Sequence, residues 1–142
     1  MKIALFGASK PEACAQIKQI LDPLPDIEYV YVDGDLLFSE SKGGWSVDMA
    51  LSIGGDGTFL RTAAKVGETG LPILGINAGR LGFLTAISLN EAAELLPKML
   101  TEKDYNIEER ALLELEIPGL KQPYQKFALN EVAILKRDLS SM

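Results

Sequence analysis

Residues 52–58, Ser-Ile-Gly-Gly-Asp-Gly-Thr, place one carboxylate among three glycines at the end of an apolar run. A strand that feeds a glycine-rich turn and then a helix makes an anion site. The first N–H groups of the helix and the positive end of its dipole face the ligand. Glycines such as Gly55 and Gly57 let that ligand approach the backbone closely. Asp56 conflicts with such a cradle, because a carboxylate repels phosphate. Two arrangements resolve the conflict: a divalent cation between the two, or a substrate hydroxyl whose proton Asp56 accepts. Both belong to phosphoryl transfer. A third reading is structural, with Asp56 capping a helix that begins at Thr58. The stretch has neither the lysine of a P-loop nor the spacing of GxGxxG.

Two further stretches carry polar residues where the pattern is otherwise apolar or tight. In "GINAGRLGF", residues 75–83, Asn77 can bond across the turn, Arg80 can meet a phosphate, and Phe83 can stack on a base. Turn chemistry for Asn77, solvation for Arg80 and core packing for Phe83 are the plainer alternatives. In "FALNEVAIL", residues 127–135, Asn130 and Glu131 interrupt an apolar strand. One of the two must face the apolar side, or the strand must bulge. Burial would cost several kcal/mol without a partner, which points to a ligand or an internal network.

Composition narrows the chemistry. The 142 residues contain no histidine, so Ser-His triads, HExxH zinc sites and imidazole bases are out, and a general base must be Asp, Glu, Lys, Tyr or Cys. The single cysteine, Cys14, makes neither an intrachain disulfide nor a multi-cysteine zinc site; it reads as a small buried helix residue. A net charge of −6 argues against broad nucleic-acid binding. No apolar run approaches the roughly 20 residues of a membrane span. The opening "MKIALFGASKPEA" reads as a first strand rather than a signal peptide. A cytoplasmic, reducing location is the expectation.

The elements that must hold these stretches alternate. Strands are expected at 2–6, 27–32, 47–53 and 72–76. Helices are expected at 11–21, with Pro11 in the first turn, and at 58–66. Residues 38–45 read as a loop. Ser88-Leu89-Asn90-Glu91 is a capping box opening another helix, in which Pro97 is a kink or a stop. The class is α/β: a Rossmann-like parallel sheet flanked by helices, with both glycine turns beyond the carboxyl ends of strands, where ligands bind. A boundary is expected near residue 104, dividing an α/β domain (1–104) from the start of an all-β one (105–142). The latter would hold strands at 111–117 and 127–135. So few strands do not close a domain, so the chain reads as a fragment of a longer protein.

"GGDGTFLRTA", "GINAGRLGFLT" and "LNEVAIL", in this order, resemble the bacterial NAD kinase family, and "YNIEERALLELEI" resembles the segment leading into its second domain. The resemblance covers most of residues 47–135. It implies phosphorylation of the 2′-hydroxyl of the adenosine ribose of NAD to give NADP. ATP or inorganic polyphosphate would be the donor, with a divalent cation, Mg2+ or Mn2+. It implies that Asp56 accepts the hydroxyl proton and that Gly57 meets the ligand through its backbone. Arg61, Asn130 and Glu131 would contact the dinucleotide, Phe83 would line the adenine side, and Ser141 would lie among further contacts. It also implies a homodimer or homotetramer. GGDG alone is shared with diacylglycerol kinases, which keeps a lipid kinase as an alternative. A nucleotide-binding fragment without catalysis is another, since the family's enzymes are longer than this chain.

Overall fold

The computed structural model describes residues 1–7, 9–32, 46–80, 82–119 and 126–133. Ser141, the whole 38–45 loop and the end of the 127–135 stretch lie outside them.

Five parallel strands form one sheet in the order β2-β1-β3-β4-β5: β1 (Lys2–Phe6), β2 (Glu28–Tyr31), β3 (Met49–Gly54), β4 (Ile73–Asn77) and the short β5 (Ile87–Ser88). β3 reads as a continuous apolar run because it is central and buried at all six of its residues. The register pairs Gly54 at the end of β3 with Asn77 at the end of β4. The two glycine turns therefore leave the sheet side by side.

Helices cover both faces. α1 (Pro11–Leu21) and α3 (Leu89–Glu102) bury Ile17, Leu21, Leu96 and Leu100 against Ile3, Leu5, Leu51 and Ile53. α2 (Asp56–Val66) packs on the opposite face, where Val66 joins Ala4, Phe6 and Ala50. That contact is pinned by a buried polar pair, with Thr62 Oγ1 3.0 Å from Ser52 Oγ and 2.9 Å from the Thr58 carbonyl. Cys14 is buried as expected, with its thiol 3.2 Å from the Gly7 carbonyl.

Several boundaries differ from the pattern reading. α3 does not stop at Pro97 but runs to Glu102, opened by the capping box of Ser88 and Glu91. α2 begins at Asp56 rather than Thr58, with Gly55 as its N-cap and no side-chain cap. Among the described residues, the strand expected over 111–117 is Leu113–Glu114 (β6), and the part of 127–135 that forms a strand is Phe127–Ala128 (β7). The two pair antiparallel. β7 ends because Asn130 takes a left-handed backbone, φ 83°, which asparagine tolerates better than most residues.

Candidate functional site

Gly54 and Asn77 leave neighbouring strands, and the Ala78 N–H donates to the Gly54 carbonyl at 3.1 Å, tying the two turns together at their base. The first turn then enters α2 at once. Gly55 is extended, Asp56 is the first helical residue, and Gly57 is exposed. No side chain caps this helix, so its N-terminal dipole faces outward beside a carboxylate.

Asp56 does not serve its own helix. Its two carboxylate oxygens accept from the second turn: Oδ2 from the Phe83 N–H and Oδ1 from the Leu84 N–H, each at 2.9 Å. These two donors hold the carboxyl below the usual carboxylate range, because they favour the charged form. Each oxygen keeps a second lone pair, so a hydroxyl can still approach the ionised group. The helix-cap reading of Asp56 is thereby replaced by a cross-turn anchor.

The second turn is organised from within by Asn77, which is 4% exposed. Its Nδ2 donates to the Arg80 carbonyl at 2.7 Å and to Thr85 Oγ1 at 3.3 Å. Its Oδ1 accepts from the Gly79 N–H at 2.8 Å. Turn chemistry describes this residue in the fold: Asn77 shapes the loop, with both Nδ2 protons engaged and one lone pair of Oδ1 left open. The core alternative fails for Phe83, whose side chain is 99% exposed although its own N–H is bound to Asp56. An aromatic ring fully in water, on a residue whose backbone holds the carboxylate, is a ready stacking surface.

Arg61 is exposed one turn into α2. Its Nη2 lies 3.3 Å from Thr58 Oγ1, and Nη1 reaches over Gly57. A guanidinium is therefore held beside the open helix N-terminus, where a phosphate would sit. Arg80 is exposed and contributes its carbonyl to the Asn77 network. Asn130 and Glu131 are both exposed, so the expectation that one of them faces the apolar side is corrected: β7 has already ended. Neither bonds to Asp56 or to the Asn77 turn among the described residues. β7 is near α2 at its far end, where Phe127 packs against Gly67.

Four contributors carry no role in the sequence pattern: the Phe83 N–H, the Leu84 N–H, Thr85 and Gly82. A side chain at Gly82 would collide with Asp56, since a Cβ there would lie 2.1 Å from Oδ1. No local signal announces this, because the two residues meet only in the fold. Among the described residues, no group of three or more His, Cys, Asp or Glu side chains is placed to hold a metal ion.

Residues 37–105 match the family model described as the ATP-NAD kinase N-terminal domain. The NAD kinase of Porphyromonas gingivalis is 40% identical over 157 residues, an alignment spanning 99% of this chain and 54% of that protein. The chain belongs to the NAD kinase family. The NAD kinase of Bacteroides fragilis is 49% identical over 111 residues, covering 78% of this chain and 37% of that protein. The chain thus spans about half the length, or less, of these curated NAD kinase relatives. Among solved structures, an NAD kinase from Archaeoglobus fulgidus in complex with ATP superposes with a TM-score of 0.58 at 28% identity, covering 72% of this chain and 38% of that one. Yeast NADH kinase complexed with NADH shares the fold, with a TM-score of 0.57 at 14% identity, covering 90% of this chain and 46% of that one. No helix among the described residues is long and apolar enough to cross a membrane.

Proposed function

We propose that this chain carries the acceptor side of an NAD kinase, which transfers a phosphoryl group to the 2′-hydroxyl of the adenosine ribose of NAD. The observation that carries the reading is Asp56: an ionised, fixed carboxylate beside an uncapped helix N-terminus, beyond the carboxyl ends of β3 and β4. The ribose hydroxyl donates to the free lone pair of Asp56. Its oxygen bonds to the terminal phosphorus of the donor as the bond to the leaving phosphate breaks, and the proton passes to the carboxylate. Such transition states are loose, so the proton leaves late and a weakly basic carboxylate suffices. Gly55 and Gly57 admit the phosphates, Arg61 offsets their charge, and Phe83 stacks on the adenine. Asn77 serves by fixing the turn.

The family resemblance adds dinucleotide contacts from Asn130, Glu131 and Ser141, a divalent cation and a homo-oligomer; composition and pattern add a cytoplasmic location and the division into 1–104 and 105–142. ATP is the donor we favour; an NAD kinase of this fold has been solved with it. The described residues form no metal cage of their own. A divalent cation would be held largely by the donor phosphates, as Mg2+ commonly is.

The test is NADP formation from NAD, ATP and Mg2+ by the complete gene product, with Asp56→Asn alongside. The substitution is expected to cost on the order of 10²–10⁴ in turnover, the usual range for a general base. A loss below about tenfold removes the base assignment. Phosphate transferred to a lipid instead of NAD removes the substrate.

A further inference from the structure

The second turn lies directly against the Asp56 carboxylate. Two backbone N–H groups, from Phe83 and Leu84, reach its oxygens at 2.9 Å. The turn can come this close because residue 82 has no side chain. A Cβ on Gly82 would stand 2.1 Å from Oδ1, 2.6 Å from the carboxyl carbon and 2.8 Å from Oδ2. Atoms cannot share that space, so either the turn or the carboxylate would have to move. Gly79, in the same turn, is different: a Cβ there meets nothing within 4 Å. The need for glycine at 82 is steric and directed at one side chain.

We infer that Gly82 is a positioning residue for the reaction, acting through Asp56: its missing side chain lets the Phe83 and Leu84 N–H groups clamp the carboxylate in its working orientation. The role rests on the NAD kinase reading; the contact itself does not. The clamp fixes both oxygens, so the carboxylate cannot rotate away from an incoming hydroxyl. It also keeps the group ionised and leaves one lone pair per oxygen for the substrate. A displacement on the order of 1 Å in such a group costs roughly 10²-fold in rate.

Two measurements test this, and they fail separately. The first is thermal unfolding of the complete gene product in a double-mutant cycle of Gly82→Ala with Asp56→Ala. Gly82→Ala alone is expected to lower Tm. In the Asp56→Ala background, where the carboxylate no longer occupies the space, most of that loss is expected to vanish. Equal losses in both backgrounds would overturn the steric contact, whatever the reaction proves to be. The second is the pH profile of kcat/KM for the complete gene product. Gly82→Ala is expected to lose on the order of 10²-fold at neutral pH. Its acidic limb is expected to move upward, because Asp56 loses the donors that hold its proton affinity down. Gly79→Ala is the comparison from the same turn and is expected to leave the acidic limb where it stands. An unmoved limb in Gly82→Ala, or the same movement in both variants, would overturn the positioning role. If the unfolding cycle shows the coupling but the complete protein makes no NADP, the clamp stands and the substrate reading falls.

Discussion

The two glycine turns leave adjacent strands and are joined at their base, yet they are built on opposite plans. The first, 54–57, satisfies little of itself: its helix is uncapped, Gly57 is exposed, and its one ionised group takes its partners from elsewhere. The second, 77–84, is closed on itself around the buried Asn77 amide and exports two N–H groups across the gap. The difference teaches a division of labour. One turn presents chemistry and stays open to a ligand. The other spends its polar groups on rigidity and aims the first. A substitution should therefore act on binding and turnover in the first turn, on stability first in the second, and on both where the second turn reaches the site.

Asn77→Ala should have the largest combined effect. It strips the Gly79 N–H and the Arg80 carbonyl of their shared partner and frees Thr85. Each hydrogen bond lost is worth about 0.5–1.5 kcal/mol. Chemical denaturation should show that loss, and NADP formation should fall further than stability alone explains, because the donors on Asp56 lose their frame. A full loss of stability with unchanged turnover would break the claim that this turn aims the first one.

Phe83→Ala should separate the two plans within one residue. The ring is 99% exposed, so its removal should change stability by no more than about 0.5 kcal/mol. The backbone N–H that serves Asp56 remains. If the ring stacks on adenine, NAD binding measured by calorimetry should weaken by about 1–3 kcal/mol, the usual worth of one stacked base. Unchanged affinity would return Phe83 to a bystander whose backbone alone matters.

Gly57→Ala should reverse the usual sign. A Cβ there meets only Arg61 Nη1, at 3.8 Å, an ordinary contact, and the backbone is helical. Alanine should therefore stabilise the chain by about 0.4–1 kcal/mol. The Michaelis constant for substrate should nevertheless rise, because the methyl group stands where the ligand would meet the backbone. Improved stability with unaltered Michaelis constants would move the ligand away from this turn.

Much of this arrangement can be read along the chain, and the parts that cannot are those made by distant contacts. β3 was legible because a central parallel strand is apolar on both faces, and the start of α3 because a capping box is a local pattern. The beginning of α2 was misplaced by two residues, since Asp56 looks like a cap until its partners, 27 and 28 residues away, are seen. Gly82 was visible as a glycine but not as the gap that admits Asp56. The β6–β7 ribbon was overextended because its apolar runs suggest long strands. Leu113, Ile117 and Val132 instead lie exposed, and the left-handed Asn130 takes itself and Glu131 out of the ladder.

The smallest expected effect is electrostatic, and it tests the link between the turns directly. The Phe83 and Leu84 N–H groups lower the Asp56 pKa in the folded state. A carboxyl with a depressed folded pKa adds stability that is fully present above its unfolded value, about 3.9 for aspartate. That stability is lost as pH falls through the folded value below it. Glu91 behaves in the same direction, held by Ser88, and adds its own share to any acid loss. Unfolding should therefore be followed from pH 7 downward for the parent chain, for Asp56→Asn and for Glu91→Gln. The parent should lose more stability on acidification than Asp56→Asn, so that the two curves converge at low pH. Glu91→Gln should retain the part of the acid loss that belongs to Asp56. If the parent and Asp56→Asn curves ran parallel throughout, the second turn would not be holding the carboxylate of the first, and the division of labour between them would fail where the second turn reaches the site.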